Sequence, residues 1–366
     1  MRWLVGGNYI EVENIASCIA GVFFAPTSFT CRPLLEVTTK GVFGGIYYDV
    51  TDKLTLSGEL RYQNDQIDIP SGDLSTEFDD VGGRATVEYA LREDLMVFAN
   101  FSRGFRPGGF NSIYTTLTPN EQAELADVTG TGLDVDPETL DQYEIGIKGG
   151  LFDGRLQGSA VAYWGEISEQ QVQQVGNFTR ESDNSPQVAA VLANIGTLGM
   201  HGIELEAGFA ATERLTLQAS LAWNYTEFED GSCRVCVTNG AAVTDQDHLG
   251  NQLFWAPEYT ASAVATYSRP LLDGAVDGFA RAEVMYESTK YATEMNLYET
   301  GDRELVNLRM GVEKDAYRVE FYVANLFDND TYFNVSRNSD LDTFGSAWVA
   351  GLPDRRRVGV RAFVNF

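Results

Sequence analysis

Cysteine and histidine are scarce in this chain, which carries four Cys and two His in 366 residues. His201 and His248 lie on different segments, and no Gly-x-Ser-x-Gly elbow accompanies them, so no catalytic constellation emerges. Basic residues are also few: 26 Lys and Arg stand against 53 Asp and Glu, and a net charge of −27 argues against a nucleic-acid partner. Apolar residues make up 44 % of the sequence, yet they never run unbroken for the roughly 18 positions of a membrane-crossing helix. No leader is visible either. Met1 is followed at once by Arg2-Trp3-Leu4-Val5-Gly6-Gly7-Asn8-Tyr9, without a basic region, an apolar core or a small-residue cleavage site. The opening reads as a strand already under way, and leader and upstream segments are expected to be absent from this chain.

What the chain has in abundance is alternation. Val358, Val360, Ala362, Val364 and Phe366 share one face of the last strand, while Arg357, Gly359, Arg361, Phe363 and Asn365 take the other. A period of two, apolar on one side and charged on the other, suits a strand between lipid and a polar lumen. The same pattern recurs in Leu54 to Gln63, Leu215 to Tyr225, Val306 to Glu313 and Tyr317 to Val323. Short connections (51–53, 91–94, 152–154, 211–213, 272–274, 314–316) carry Asp-Gly and Asp-rich reversals. Long polar ones (11–40, 64–79, 106–139, 167–198, 227–256, 288–302, 326–354) fall between them. Turns on one rim and loops on the other predict an antiparallel transmembrane β-barrel wall of roughly fourteen strands, the last descending.

Four stretches resemble TonB-dependent outer-membrane receptors. They are Phe98-Ala99-Asn100-Phe101-Ser102-Arg103-Gly104-Phe105-Arg106-Pro107-Gly108-Gly109-Phe110-Asn111, Tyr143 to Lys148, Gly199 to Glu206, and Val323-Ala324-Asn325-Leu326-Phe327-Asp328. Phe366 at the carboxy-terminus completes the set and implies an assembly signal for the barrel-assembly machinery. The resemblance implies an outer-membrane location in a Gram-negative bacterium and an extracellular small-molecule ligand. It also implies a TonB-contacting box, a plug and a barrel of about 22 strands. Residues 1–366 would then be one barrel domain, truncated at its amino-terminus, and TonB would act only through the absent part.

By parity, Glu59, Arg61, Glu88, Glu144, Lys148, Glu204, Glu206, Arg281, Glu283, Arg309, Glu313, Arg318, Glu320, Arg357 and Arg361 form a charged lumen wall that would dock a plug. Outward aromatics near strand ends, among them Tyr62, Phe101, Trp164, Trp223, Tyr225 and Tyr286, form the interfacial girdles. Flat rings and guanidinium groups in the loops, Phe105, Arg106, Phe110, Tyr114, Phe254, Trp255, Tyr332, Phe333 and Trp348, are the candidates for ligand capture. His201 is expected at the rim or in the lumen. Cys18, Cys31, Cys233 and Cys236 fall in two long loops and are expected as two staples in an oxidising compartment. The Cys233-x-x-Cys236 spacing lacks the context of a redox or zinc site, and the loop acids lack the Gly and distal Glu of a calcium loop. No metal or cofactor is expected, and no enzymatic activity.

The function implied is the barrel part of a receptor that takes up a scarce ligand such as a ferric siderophore, cobalamin or an oligosaccharide. Two alternatives share the alternation: a complete 14-stranded passive channel, and a soluble acidic β-rich carbohydrate-active protein with its apolar faces in a core.

Overall fold

Fourteen antiparallel strands form one continuous sheet in which every ladder joins neighbours in sequence. The computed structural model describes residues 1–14, 18–20, 29–31, 35–70, 74–233, 237–238, 241–242, 246–339 and 346–364. The strands are β1 Arg2–Asn14, β2 Leu35–Asp49, β3 Leu54–Ile69, β4 Leu74–Arg92, β5 Leu95–Arg106, β6 Glu138–Leu151 and β7 Leu156–Ser168. They continue as β8 Thr197–Ala210, β9 Leu215–Asp230, β10 Tyr259–Leu271, β11 Val276–Glu287, β12 Arg303–Lys314, β13 Tyr317–Ala324 and β14 Arg357–Val364. The short connections are all tight turns on one rim. No described helix is long and apolar enough to cross a membrane, which says nothing about strands.

Register carries the two faces unbroken around the sheet. Phe101 stands opposite Tyr143, Tyr143 opposite Trp164, Trp164 opposite His201 and His201 opposite Tyr225, one girdle row across five strands. Tyr143 and Trp164 stack with centroids 5.4 Å apart. His201 therefore belongs to the outer face at the aromatic rim and not to the lumen, with its ring 5.4 Å from Trp223 and 5.1 Å from Tyr225. Leu60 and Val360 on the same face are 68 % and 70 % exposed. A sheet that leaves its apolar face this bare is stable only where lipid covers that face.

The buried hydrophobic cores lie instead among the loops. The connection 106–139 contains helix α1, Pro119–Thr129, opened by a capping box between Thr118 and Glu121 and closed by Gly130 at φ 73. The helix packs on a hairpin, Gln171–Thr179 with Pro186–Asn194, burying Leu125 against Phe178, Ala189 and Val191. A second core gathers Ala193, Ile195, Leu198 and Phe228.

Two expectations are corrected. The span 64–79 is no loose loop, because β3 and β4 pair through it from Asn64 opposite Asp79 up to Ile69 opposite Leu74. Ile67 and Ile69 are buried on one of its faces, but the polar run Gln63, Asn64, Asp65 and Gln66 below them interrupts the alternation that would announce the ladder. Tyr114 is 4 % exposed inside the first loop core, its hydroxyl donating to the Thr131 carbonyl at 2.7 Å, and is withdrawn from ligand capture. Arg103, outside every candidate set, stands on the outer face beside Gly83, in a bidentate ion pair with Asp141 just above the girdle. Among the described residues no ladder joins β1 to β14, so each presents a free edge.

Candidate ligand-binding face

Register gathers all the wall residues named from parity on one face of the sheet. Glu59 accepts Arg84 at 2.9 Å and the hydroxyl of Tyr47. Arg61 donates to Gln63 at 2.9 Å, and Gln63 passes the chain to Asp65 at 2.7 Å. Glu144 accepts Gln142 at 2.8 Å, while Lys148 sits 5.5 Å from the centre of the Phe98 ring. Glu204 and Glu206 face Ala222 and Ser220 across the β8–β9 ladder. Towards the last strands the wall turns basic. Arg281 donates to Glu283 at 2.6 Å and Arg318 to the buried Glu320 at 3.0 Å. The ring of Phe279 lies beneath Arg318, with its centre 4.1 Å away.

The loop candidates divide between two bodies. Arg106, at the end of β5, donates to the Gln171 carbonyl at 3.5 Å. Phe110 lies in a short ladder with Asp134. Asn111 ties this body together, donating to the carbonyls of Gly132 and Leu192 at 2.8 Å each. Phe105, also near the end of β5, pairs with Thr139 of β6 and lies against Gly82 of β4. In the second body Phe254 and Trp255 meet edge to face at 5.4 Å. Trp255 donates from Nε1 to the Val335 carbonyl at 3.3 Å, and Lys290 Nζ donates to the Phe333 carbonyl at 3.0 Å. Tyr298 packs on Trp348 with centroids 4.0 Å apart. Tyr332 and Phe333 remain exposed. Chain segments 80 residues apart thus converge on one aromatic surface above the basic wall.

Loop carboxylates are held ionised by local hydrogen bonds. The backbone amides of Thr118 and Glu181 keep Glu121 below the usual carboxylate range. Asp183 is lowered by the hydroxyl and amide of Ser185, and Asp302 by the amide and hydroxyl of Thr289. Among the described residues no three His, Cys, Asp or Glu side chains gather as a metal site. Cys18 stands opposite Cys31 in a short ladder, and Cys233 opposite Gln246. Cys236 and Phe366 lie outside the described residues.

Parity missed Arg84, Arg103, Arg303 and Arg355. Arg84 and Arg303 follow from the same alternation once strand limits are known. Arg355, which pairs with Asp330 at 3.1 Å and Asp328 at 3.7 Å, sits in a loop with no period to reveal it.

An antiparallel meander with one bare apolar face, one charged face, tight turns on one rim and folded loops on the other is the wall of an outer-membrane β-barrel. Residues 5–326 match the family described as TonB dependent receptor-like, beta-barrel, and the chain belongs to that family. The pesticin receptor of Yersinia pestis is 22 % identical over 344 residues, covering 90 % of this chain and 44 % of the relative. Among solved structures, the ferric yersiniabactin uptake receptor FyuA from Yersinia pestis superposes with a TM-score of 0.68 at 18 % identity, covering 91 % of this chain and 46 % of that one. The siderophore receptor PiuA from Acinetobacter baumannii gives 0.64 at 17 %, covering 92 % and 44 %. The chain therefore spans less than half the length of these relatives. Barrels of this family are outer-membrane proteins of Gram-negative bacteria, and these relatives are receptors, not enzymes.

Proposed function

We propose that this chain is the lumen wall and the ligand-facing loops of a receptor that imports a scarce extracellular ligand with energy relayed by TonB. The ligand classes that fit are a ferric siderophore, cobalamin or an oligosaccharide. The observation that carries the reading is the convergence of Trp255, Phe333 and Trp348 above a charged wall, at the rim where the connections are long and folded. Residues 1–366 act in this reading as one barrel domain whose free edges on β1 and β14 pair with further strands of the same receptor, because unpaired backbone is costly in lipid. Contact with TonB belongs to a plug outside these residues, and the carboxy-terminal strand addresses the barrel-assembly machinery. A complete 14-stranded channel would need a ladder from β1 to β14.

The test is loss of the receptor gene in its host, followed by uptake of radiolabelled ferric siderophores, cobalamin and oligosaccharides with and without TonB. Loss of one TonB-dependent uptake activity supports the reading. Unchanged uptake of all three classes sinks it.

A further inference from the structure

The lipid-facing side of the sheet is not evenly covered. Across β2 to β5, Ile46, Gly58, Ala85 and Phe101 stand in one register row on that side. Gly44, Leu60, Gly83 and Arg103 form the next row towards the loops. Gly44, Gly58, Gly83 and Ala85 carry no side chain beyond a methyl group, and a hollow of about 1080 Å³ opens over them. A Cβ built on Gly58 would meet nothing within 4 Å, so the floor is bare there. Trp3 and Val5 wall the hollow on β1, and Phe101 and Tyr143 wall it at the girdle. Ile46 and Phe101 are three strand spacings apart, about 14 Å, so neither side chain reaches across the glycines.

The hollow is apolar except at its loop-side end, where Arg103 stands on the outer face. Glu59 and Arg84 also border it, but they pair with each other on the lumen side at 2.9 Å. Arg103 spends two of its five N–H donors on Asp141, and its side chain is 51 % exposed. The remaining donors are open to a group at the level of the lipid heads. One row towards the turns, Leu56 and Val87 face each other and fill the surface again. An apolar hollow left empty forfeits the dispersion contacts of its lining, and a dry site lined this way gives water no partners. Lipid already covers this face of the sheet, and an acyl chain is an apolar body flexible enough to follow the floor.

We propose that the hollow holds one membrane lipid as a bound partner, with its acyl chains over Gly58 and Ala85 and its phosphate on Arg103. Guanidinium forks match phosphate in geometry, and Asp141 leaves part of this fork free. Walls on two sides and a charged tether distinguish this lipid from those that surround the barrel elsewhere. The inference goes beyond the receptor reading and rests only on the assignment of faces, so failure of either one leaves the other standing.

The experiment is native mass spectrometry of the protein taken from outer membranes in a mild detergent. The delipidated protein is then titrated with dioleoyl phosphatidic acid and, separately, with dioleoylglycerol, which has the same chains and no phosphate. One retained phosphate-bearing lipid per chain is expected, with tighter rebinding of phosphatidic acid. Gly58→Leu puts a side chain on the bare floor without a backbone clash and is expected to lower retention by about tenfold. Gly44→Leu, whose Cβ meets only the Leu4 carbonyl at 3.4 Å, repeats the test should Gly58→Leu fail to fold. Arg103→Gln should remove the preference for phosphatidic acid, worth about tenfold for a charge-assisted hydrogen bond, and leave dioleoylglycerol binding unchanged. Ala263→Leu, on the outer face of β10, should alter neither lipid. Absence of a retained lipid, equal retention by the folded glycine variants, or equal binding of the two probes would overturn the proposal. So would a dimer of the chain that Gly58→Leu dissociates, since a second copy would then occupy the hollow.

Discussion

The assignment of faces is most sharply tested by two adjacent arginine substitutions in β9. Leu221 lies on the outer face midway between Leu215 and Tyr225, with Leu205 and Ala261 as its register partners. An Arg there meets hydrocarbon with no acceptor in either ladder, and Leu221→Arg is expected to cost about 2–4 kcal/mol near the bilayer midplane. Ala222, one residue on, faces Glu204 and Thr260 across the wall. Ala222→Arg adds an opposite-charge cross-strand pair in a hydrated lumen, worth about 0.2–1 kcal/mol in the stabilising direction before crowding is counted. The two variants should therefore differ by about 2–5 kcal/mol although each adds one positive charge at adjacent positions. Urea unfolding in phospholipid vesicles, followed by tryptophan fluorescence, measures the difference. Equal destabilisation, or a larger loss for Ala222→Arg, would refute the faces read from register.

The loops make further tests. Thr118→Ala removes the cap of α1 and should destabilise the helix by about 1 kcal/mol, read as faster amide exchange over Pro119–Thr129 with the sheet unchanged. Glu121 is depressed in the folded loop, so its stabilising contribution is complete above its ordinary value of 4.5 and is lost as pH falls through the lower folded value. Exchange in α1 should accordingly stay flat from pH 7 to 5 after correction for intrinsic rates, and opening within that window would count against the carboxylate's role. Cys18 and Cys31 are directly opposed in an antiparallel ladder, where Cα atoms stand about 4.5–5.5 Å apart, a spacing that admits a disulfide. Non-reducing peptide mapping of the protein taken from outer membranes should find that bridge, and its absence would dismiss the staple.

The wall was legible because a strand exposed to two different solvents writes both into its sequence at a period of two. Glu320 and Arg361, or Leu205 and Leu221, could be assigned to opposite faces without any structure. The loops obey no such rule. Tyr114 looked like its neighbour Phe110 in composition, and only the packing of α1 on the Gln171–Thr179 hairpin separates them. Thr118-Pro119-x-Glu121 and Gly130 did carry a helix signal that polar composition concealed. The extended β3–β4 hairpin was hidden because Gln63, Asn64, Asp65 and Gln66 offer polar groups to both faces. Arg303 was lost for a smaller reason, since it is the first residue of β12 and a strand limit misplaced by one position removes it.

Because each strand touches only its neighbours in sequence, the wall behaves like a row of staves held edge to edge. A hairpin added or removed at either end leaves the register of all the others untouched. Such a row can lengthen by duplication of one up-and-down unit, so the circumference of a receptor is an evolutionary variable separate from the chemistry of any single stave.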